Sequence, residues 1–536
     1  MFDTLIKLIL ISLFIFTPIA LGSIEIWAFS SMELGILLVI ILATIGRLFS
    51  PPSAIRHPQF AIRNSQSKIL LILLSLFLAF ILFQTIPLPS GMIKILSPKT
   101  YELRHQLSPA NILSPLAHSP SPVFIDQIDQ MTRQTIRPDR PEDQIDQKTR
   151  QTRRPDRPDD QIDQKTRQTI LSHSPSPIYY PISFLPFATL IEFFKWFTLA
   201  GFFIFLLHGN LLDNAQGIAK KFIIVVMLVG IVESFYGMLE FFSGHRHILY
   251  LDGPGLVSSV TGTFINRNSF AGYLLMVIPL SMGFLFSREA GQTVRFRGWR
   301  HRLSSLDGKT FLIGFGVILM ILGLIFSASR MGIVSLLISF SLVSLLFRNP
   351  HTGQRFSKTP LLIFGLALLW AAWLGLDAII SRFFTASEDF KMRWLIWENT
   401  FQIFKDFPLL GSGIGTFAQI FPMYRSFHIR GLVTHAENDF LQLASEAGLI
   451  GISLLFILFI FLLYNASSGI RSLSPGEPQR YIALGGLVGI LALMLHSIVE
   501  RNIQVPANAF LFTFLWALSL RIGISSRTAH ALVPAK

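Results

Sequence analysis

Long apolar stretches recur along the chain and set its predicted architecture. A helix needs about 20 mostly apolar residues to cross the roughly 30 Å hydrocarbon layer of a membrane. Twelve stretches are of this kind, near residues 5–22, 33–49, 69–86, 186–207, 221–242, 269–287, 310–327, 331–347, 360–379, 448–464, 481–499 and 507–520. They predict an all-α polytopic membrane protein with about twelve transmembrane helices. No convincing small-residue cleavage site follows the first stretch, so we interpret it as a span and not as a signal peptide.

The polar connections divide the chain into five predicted regions. Residues 1–99 hold the first three spans, and residues 100–180 form a low-complexity segment. Residues 181–379 hold the next six spans, and residues 380–447 form a second long segment. Residues 448–536 hold the last three spans and a tail. Both long segments fall on the same predicted side of the membrane.

The basic residues predict the orientation of these spans. The chain has 45 Lys and Arg against 31 Asp and Glu, a net charge of +14, which in a soluble protein would suggest a nucleic-acid partner. With the N-terminus in the cytoplasm, 21 basic residues fall in the inner connections or at the termini. Only four fall in the short outer loops, namely Arg246, Arg267, Arg330 and Arg501. Cytoplasmic loops carry an excess of Lys and Arg. We therefore predict that both termini are inside and that no nucleic acid binds.

The two long outer segments differ in character. In the first, a 17-residue unit begins at Ile128 and Ile145 and recurs in part from Ile162. These units have no hydrophobic face to bury, so they predict a disordered expansion that catalysis does not need. A glycan-binding or spacer arm is the alternative. The chain contains no Cys, which excludes disulfides, a thiol nucleophile and a Cys-ligated zinc site.

The second outer segment has the pattern of an ordered, membrane-facing structure. From Ser387 to Lys405 the spacing predicts an amphipathic helix with one aromatic stripe, formed by Trp394, Trp397, Phe401 and Phe404. Such a helix suits the membrane interface. The sequence GSGIGT at 411–416 is superficially like a phosphate-binding loop. No buried strand precedes it and no Walker lysine follows it, so we interpret it as a turn.

A polar stripe runs from this segment into the tenth span. Residues His435, Asp439, Gln442 and Glu446 follow one another at spacings of 4, 3 and 4, so a helix would place them on one face. Thr434 and Glu437 have the spacing of a capping box, which predicts Thr434 as the N-cap and His435 in the first helical turn. A helix N-terminus lowers the pKa of a histidine, and a neutral imidazole can act as a general base. The alternatives are an exposed loop histidine, or a metal site formed by His435, Glu437 and Asp439.

Arginines on the outer side are few, and the topology rule does not explain them. A phosphate-bearing ligand would explain them, since guanidinium groups bind phosphate in a bidentate manner. Headgroup anchoring or local ion pairs are the alternatives for each arginine alone. The candidates are Arg267, Arg330, Arg393, Arg425, Arg430 and Arg501.

Several motifs together resemble the O-antigen ligase and polymerase superfamily of bacterial membrane glycosyltransferases. In chain order they are GTFINRNSFAGY before the sixth span, FSASRMG at 326–332, RWLIWENTFQIFKDFPLLGSGIGTF at 393–417, HAENDFLQLASEAGLIG at 435–451 and HSIVERNIQVPANAFLF at 496–512. Weaker similarity covers 16–29 and 83–98. The resemblance extends over nearly all of the chain except 100–180.

The resemblance implies an activity and a place for it. Members transfer a glycan from undecaprenyl diphosphate to an acceptor hydroxyl on the outer, periplasmic face of the bacterial inner membrane, without a metal or another cofactor. The acceptor is a lipid A-core sugar for ligases, a growing glycan for polymerases and a protein hydroxyl in a related branch. By resemblance, His435 is the catalytic base and Arg330 and Arg393 contact the donor diphosphate.

Further residues are assigned by their place beside these motifs. Arg267 and Arg425 are added as diphosphate contacts, and Asn438, Asp439, Glu446 and Arg501 as supporting residues. Many members have His where this chain has Glu437, and Asp where it has Glu500, which leaves the acceptor open. A twelve-span transporter or flippase is the rival of another class. It predicts symmetry between the two halves of the chain, which the sequence does not show.

Overall fold

The computed structural model describes residues 2–49, 65–106, 179–212, 217–244, 247–252, 259–290, 307–347, 365, 386–428 and 431–532. Within these ranges the chain forms fifteen α-helices. The helices of the first half are α1 (Phe2–Ile19), α2 (Ile26–Leu48), α3 (Ser65–Thr85), α4 (Ser90–Leu96), α5 (Pro98–Gln106), α6 (Pro186–His208), α7 (Ile218–Ser243) and α8 (Arg267–Glu289). Those of the second half are α9 (Gly308–Phe326), α10 (Arg330–Leu346), α11 (Ala386–Asp406), α12 (Phe417–Tyr424), α13 (Asp439–Ser472), α14 (Pro478–His496) and α15 (Pro506–Leu532).

Ten of these helices are long and apolar enough to span a membrane. They coincide with ten of the twelve predicted spans, and a multi-pass α-helical membrane protein is confirmed. The eighth predicted span is α10, which has 17 residues and is apolar but shorter. Apart from residue 365, the ninth, at 360–379, lies outside the described residues, as do all of the repeats at 128–170. A total of twelve spans and the inside position of both termini stay predictions.

Helix α8 is the central helix of the membrane part. It contacts α7, α9, α10, α14 and α15. Its closest approach is to α14, where a Cβ on Gly283 would lie 2.4 Å from the carbonyl oxygen of Tyr481, and a Cβ on Gly485 would lie 2.3 Å from that of Pro279. Small residues allow this backbone approach in membrane helices. The three most buried spans, α8, α14 and α15, also have the three lowest mean hydropathies of the ten.

Helix α13 is broken where the predicted tenth span begins. Gly448 has φ 62° and ψ −169°, so the helix consists of a polar first part up to Ala447 and an apolar second part. The segment that precedes α12 packs against this break. The amides of Leu449 and Ile450 donate hydrogen bonds to the carbonyl oxygens of Pro408 and Leu409 at 2.8 and 3.1 Å. A Cβ on Gly448 would lie 2.4 Å from the Leu409 backbone. Glycine is therefore required at this position for both its conformation and its size.

The structure divides into two compact units, of which the smaller contains the described residues 87–106 and 179–181. In this smaller unit, β1 (Leu88–Pro89) pairs antiparallel with β2 (Tyr179–Tyr180), with Leu88 opposite Tyr180. Helices α4 and α5 lie between the two strands in the sequence, and Lys94 lies 6.0 Å from the ring centre of Tyr101. In the larger unit, β3 (His247–Ile248) and β4 (Leu251–Asp252) form a second antiparallel pair.

Candidate functional site

The candidate base, His435, lies in a loop before α13 and not inside the helix. The helix begins at Asp439, and Asn438 is its N-cap, with the Asn438 side chain accepting a hydrogen bond from the Leu441 amide at 2.9 Å. The predicted capping box of Thr434 and Glu437 is therefore wrong. Glu437 has a φ of 51°, in the left-handed region. His435 is not in the first helical turn, so the helix dipole does not explain its protonation state.

Hydrogen bonds from the polar stripe of α13 position the loop. The side-chain oxygen of Gln442 accepts from the amide of Ala436, the residue after His435, at 3.1 Å. The Gln442 side-chain nitrogen donates to Glu446 at 3.3 Å. Asp439, Gln442 and Glu446 are all buried within α13, so the prediction that they share one inward face is confirmed. His435 lies in the loop before the helix, and the hydrogen bond between Ala436 and Gln442 holds this loop against that face.

The environment of His435 keeps its imidazole neutral. Burial, together with the charges of Arg501 and Lys195, lowers its pKa from 6.5 to about 3, and a hydrogen bond with Gln442 partly opposes this shift. Among the described residues, Nδ1 of His435 has no hydrogen-bond partner. A neutral imidazole with an unused ring nitrogen can accept a proton.

Asp439 attaches the first turn of α13 to the loop after α14. Its carboxylate accepts hydrogen bonds from the amides of Asn502 and Ile503 at 2.8 and 2.9 Å. Its own amide donates to the Ser497 carbonyl oxygen at 3.0 Å. The motif that contains His435 and the motif at 496–512 are thereby joined, and Arg501 is brought close enough for its charge to act on His435.

Glu446 attaches the last turn before the break to the glycine-rich segment. Its carboxylate accepts from the Phe417 amide at 3.0 Å, and its carbonyl oxygen accepts from the Gly413 amide at 2.9 Å. Gly411, Gly413 and Gly415 all have positive φ. A Cβ on Gly411 would lie 2.1 Å from the Glu446 carbonyl oxygen. The segment 411–416 is a turn packed on α13, as predicted, and the described structure gives it no phosphate-binding role.

Arg393 enters the site from α11 and is already paired. Its guanidinium forms an ion pair with the carboxylate of Glu500 and donates to the carbonyl oxygen of Val499. The side-chain nitrogen of Asn268, in the first turn of α8, donates to the same Glu500 oxygen at 2.5 Å. Burial raises the pKa of the Glu500 carboxyl. Arg393 opposes this shift, and the neighbouring Glu437 carboxyl adds to it.

Arg330 is the first residue of α10 and follows the N-cap Ser329. Ser329 lies 3.3 Å from Nε2 of His496, and Nδ1 of that histidine lies 3.3 Å from the side-chain nitrogen of Asn502. Arg267 begins α8, next to Asn268, where Asn266 caps the helix by accepting from the Asn268 amide at 2.7 Å. Both arginines are partly buried. The residues next to them, Ser329 and Asn268, contact His496 and Glu500 in the stretch 496–502.

Arg425 has fewer described contacts with the rest of the site than the other candidate arginines. It follows α12 and is partly buried. Its neighbour Ser426 accepts from the Asn399 side chain at 3.1 Å, which attaches this stretch to α11. Within the described ranges, no hydrogen bond or ion pair joins Arg425 to His435 or Arg393. Arg430 lies outside the described residues.

Helix α11 presents two different faces. Ile396, Asn399, Thr400 and Ile403 are buried against the protein, whereas Phe390, Trp394 and Phe401 are exposed at 54%, 57% and 45%. The rings of Phe390, Trp394 and Trp397 form one cluster, with centroids 6.2 to 6.5 Å apart, and Phe401 stacks on Phe404 at 6.0 Å. The predicted amphipathic helix at 387–405 therefore exists, and its aromatic side faces outward.

The family comparison covers this site. The family model described as O-antigen ligase matches residues 315–456. This part of the chain is therefore similar to the O-antigen ligase family. The superfamily that the motifs indicated is confirmed by this match. No curated protein matches the chain.

The O-antigen ligase domain contains most of the candidate site. Arg330, Arg393, Arg425, His435 and the acidic and amide residues of α13 lie inside the matched range. Arg267 and Arg501 lie outside it and approach the domain through α8 and the loop after α14. Among the residues that the structure describes, no group of three His, Asp or Glu side chains could hold a metal ion, including the trio of His435, Glu437 and Asp439.

A cavity beside the candidate site, and the lysine that lines it, were not predicted from the sequence. The cavity has a volume of about 900 Å³ and is lined almost entirely by apolar side chains of α6, α10, α13, α14 and α15. Its polar lining residues include Glu192, Lys195, Asp439 and Glu446, which lie in the first halves of α6 and α13. The sequence feature that could have indicated this cavity is the pair Glu192 and Lys195, two charged residues three positions apart inside a predicted span. Such residues are functional candidates by default.

Proposed function

We propose that the chain is an O-antigen ligase-like glycosyltransferase. It moves a glycan from undecaprenyl diphosphate to an acceptor hydroxyl on the outer, periplasmic face of the bacterial inner membrane. The family match supports a membrane glycosyltransferase of the ligase and polymerase type. The donor, the acceptor and the roles of individual residues are the parts that we propose.

The apolar cavity next to the His435 loop is the observation that carries this proposal. Its 900 Å³ volume lies between helices that span the membrane, and Asp439, Phe440 and Ile503 line it close to that loop. An apolar site with a few polar groups suits a ligand that has a long hydrocarbon part and one charged group. A polyprenyl diphosphate has this composition, and its reacting end would then lie next to His435.

His435 would act as the general base. Its imidazole would take the proton of the acceptor hydroxyl while that oxygen attacks the anomeric carbon of the donor sugar. The bond from this carbon to the diphosphate oxygen breaks, and the electron pair leaves with the diphosphate. One bond forms on the face opposite to the one that breaks, so the configuration inverts. The reaction consumes no nucleotide.

The cations around His435 would couple its basicity to donor binding. Burial and the charges of Arg501 and Lys195 hold the pKa of His435 at about 3, where it is a weak base. A bound diphosphate would offset these positive charges, and a nearby anion raises the pKa of a histidine. His435 would become an effective base only when a donor is present.

The outer arginines would stabilise the leaving diphosphate. Arg330 and Arg393 are the principal candidates, with Arg267 and Arg425 as additional contacts. Because Arg393 is paired with Glu500, a diphosphate would share its guanidinium with that carboxylate. Asn438, Asp439, Glu446 and Arg501 would support the site by fixing α13 and the neighbouring loops.

Transfer by the purified protein tests this function. The chain in lipid nanodiscs is supplied with a glycan on undecaprenyl diphosphate and, in separate reactions, with lipid A-core, free glycan or a hydroxyl-bearing protein. We expect modified lipid A-core, and no modification with His435→Ala. Longer free glycan chains would reassign the protein as a polymerase, and a modified protein would reassign it as a protein glycosyltransferase. Glycan transport without transfer would contradict an enzymatic function.

A further inference from the structure

Lys195 is a buried cation inside a membrane helix. Its side chain is 6% exposed, and it lies nine residues after Pro186, the first residue of α6. At 1.5 Å per residue this is about 14 Å along the helix axis. A charge at this depth is unfavourable unless it is paired or faces a polar ligand, so it calls for a functional explanation.

Two carboxylates interact with the Lys195 ammonium. It forms an ion pair with Glu192, one helical turn earlier, and its charge also acts on Glu33 of α2. The ion pair with Glu192 needs only one of the three N–H donors of the ammonium group.

The position of Lys195 connects the cavity to the His435 loop. Lys195 lines the cavity, and it is the one basic residue among the described residues that do so. Its charge acts on both His435 and Asp439. Arg330, Arg393, Arg267 and Arg425 do not line the cavity. An anion attached to a chain in the cavity would therefore meet Lys195 before it meets any of these arginines.

We propose that Lys195 binds the phosphate nearest the lipid in a polyprenyl diphosphate whose hydrocarbon chain fills the cavity. This inference rests on the proposed function and adds a binding residue on the membrane side of the site. Lys195 holds the head of the donor at a fixed depth, and the arginines then contact the remaining phosphate oxygens near His435.

The competing explanation is that Lys195 serves only to neutralise Glu192. Removing the lysine alone would leave a buried carboxylate unpaired and could disturb the fold under either explanation. The double variant Glu192→Gln/Lys195→Met removes both charges together and keeps side chains of similar length. If the ion pair is only structural, this variant should bind the donor like the wild type.

The experiment measures binding of undecaprenyl diphosphate and of undecaprenol, which lacks the phosphates, to the full chain in nanodiscs. We expect the wild type to prefer the diphosphate. The double variant should lose about tenfold or more of its affinity for the diphosphate, the range for a charge-assisted hydrogen bond. Its affinity for undecaprenol should be unchanged. Lys195→Arg should retain most of the preference. Lys405→Met, which removes a charge from the surface of α11, is the matched control and should bind as the wild type does.

The outcomes separate this inference from the proposed function. If the wild type prefers the diphosphate and the double variant prefers it equally, Lys195 is not a phosphate ligand and the inference is overturned, while the proposed function stands. If the double variant loses affinity for both lipids alike, Lys195 shapes the cavity and does not bind phosphate, which also overturns the inference. If the wild type shows no preference for the diphosphate, the proposed function fails.

Discussion

The hydroxyl oxygen of Ser329 lies 3.3 Å from Nε2 of His496, a residue 167 positions later in the chain. Ser329 occupies the N-cap position of α10, yet its side chain makes no capping hydrogen bond and faces His496 instead. Both side chains are buried. The contact fixes the start of α10, and with it Arg330, to the end of α14.

His496→Leu removes this contact and should weaken the site more than the fold. We expect a stability loss of about 1–3 kcal/mol, because Ser329 and Asn502 lose a buried partner, and a loss of transfer activity of about tenfold. Melting temperature and transfer rate, measured on the same preparation, give the two values. His496→Gln keeps an amide nitrogen that can reach Ser329 and should recover most of the activity. Full activity of the leucine variant would show that the contact does not position Arg330.

Arg501→Met should change the pH dependence of transfer. The charge of Arg501 lowers the pKa of His435, so its removal should raise that pKa. Activity requires the neutral imidazole, and the acid limb of the rate profile should therefore move to higher pH. The profile of transfer rate against pH at saturating donor is the measurement. Lys405→Met is the control, since Lys405 is exposed on α11 and has no described contact with His435. An unshifted profile for Arg501→Met would contradict the electrostatic explanation.

Glu437→Gln should flatten the dependence of stability on pH. Burial, with Glu437 nearby, raises the folded pKa of Glu500 above its ordinary value of 4.5. A carboxyl with a raised folded pKa loses stability as the pH rises from the unfolded toward the folded pKa. A glutamine at 437 gives Glu500 an amide donor in place of a second carboxyl, so this loss should shrink. Thermal midpoints at about pH 5 and about pH 8 bracket the transition, and equal differences in wild type and variant would refute the coupling.

Gly411→Ala should destabilise the domain severely. Gly411 has φ 73°, and an added Cβ would lie 2.1 Å from the Glu446 carbonyl oxygen, a backbone atom that cannot move aside alone. Left-handed strain and overpacking together should cost at least about 3 kcal/mol. Gly314→Ala in α9 is the matched control, because a Cβ there meets nothing within 4 Å. The yield of monodisperse protein and its melting temperature distinguish the two, and similar behaviour would show that the turn can rearrange.

Trp394→Ala should matter only in a bilayer. The Trp394 side chain is 57% exposed on the aromatic face of α11, so its truncation removes little packing within the protein. If this face lies in the membrane interface, transfer should fall several-fold in liposomes and stay near the wild-type rate in detergent. Gln402→Ala, an exposed polar position on the same helix, should have no effect in either medium. An equal loss in both media would indicate a structural role.

The sequence predicted those features that depend on local pattern. The spans follow from the lengths of apolar stretches, and the inward face of Asp439, Gln442 and Glu446 follows from helical spacing. The choice of Asn438 as the N-cap does not follow from local pattern. The amide of Asp439 donates to Ser497, and its carboxylate accepts from Asn502 and Ile503. These contacts, from residues about 60 positions away, begin the helix at Asp439 and leave His435 in the loop.

Contacts between residues that are distant in the sequence also explain the other features that were not predicted. The break at Gly448 is set by hydrogen bonds to Pro408 and Leu409, which no local pattern reveals. From the sequence, Lys195 was only an exception to the distribution of basic residues, because its relation to His435 depends on how α6 packs against α15 and lines a cavity with α13. Arg393 was expected to be available to a ligand, and its pairing with Glu500 became visible only when two distant motifs were brought together.

The combination of high burial and low mean hydropathy in α8, α14 and α15 has a consequence for how the protein is made. Helices of low hydropathy partition weakly into lipid by themselves. Their residence in the membrane then depends on neighbours that are synthesised before or after them. Because α14 is made almost two hundred residues after α8, its closest neighbour, α8 must wait in a less favourable lipid environment until α14 emerges from the ribosome. A nascent chain stopped before Pro478 should therefore retain a central helix that a chaperone or insertase recognises as unassembled.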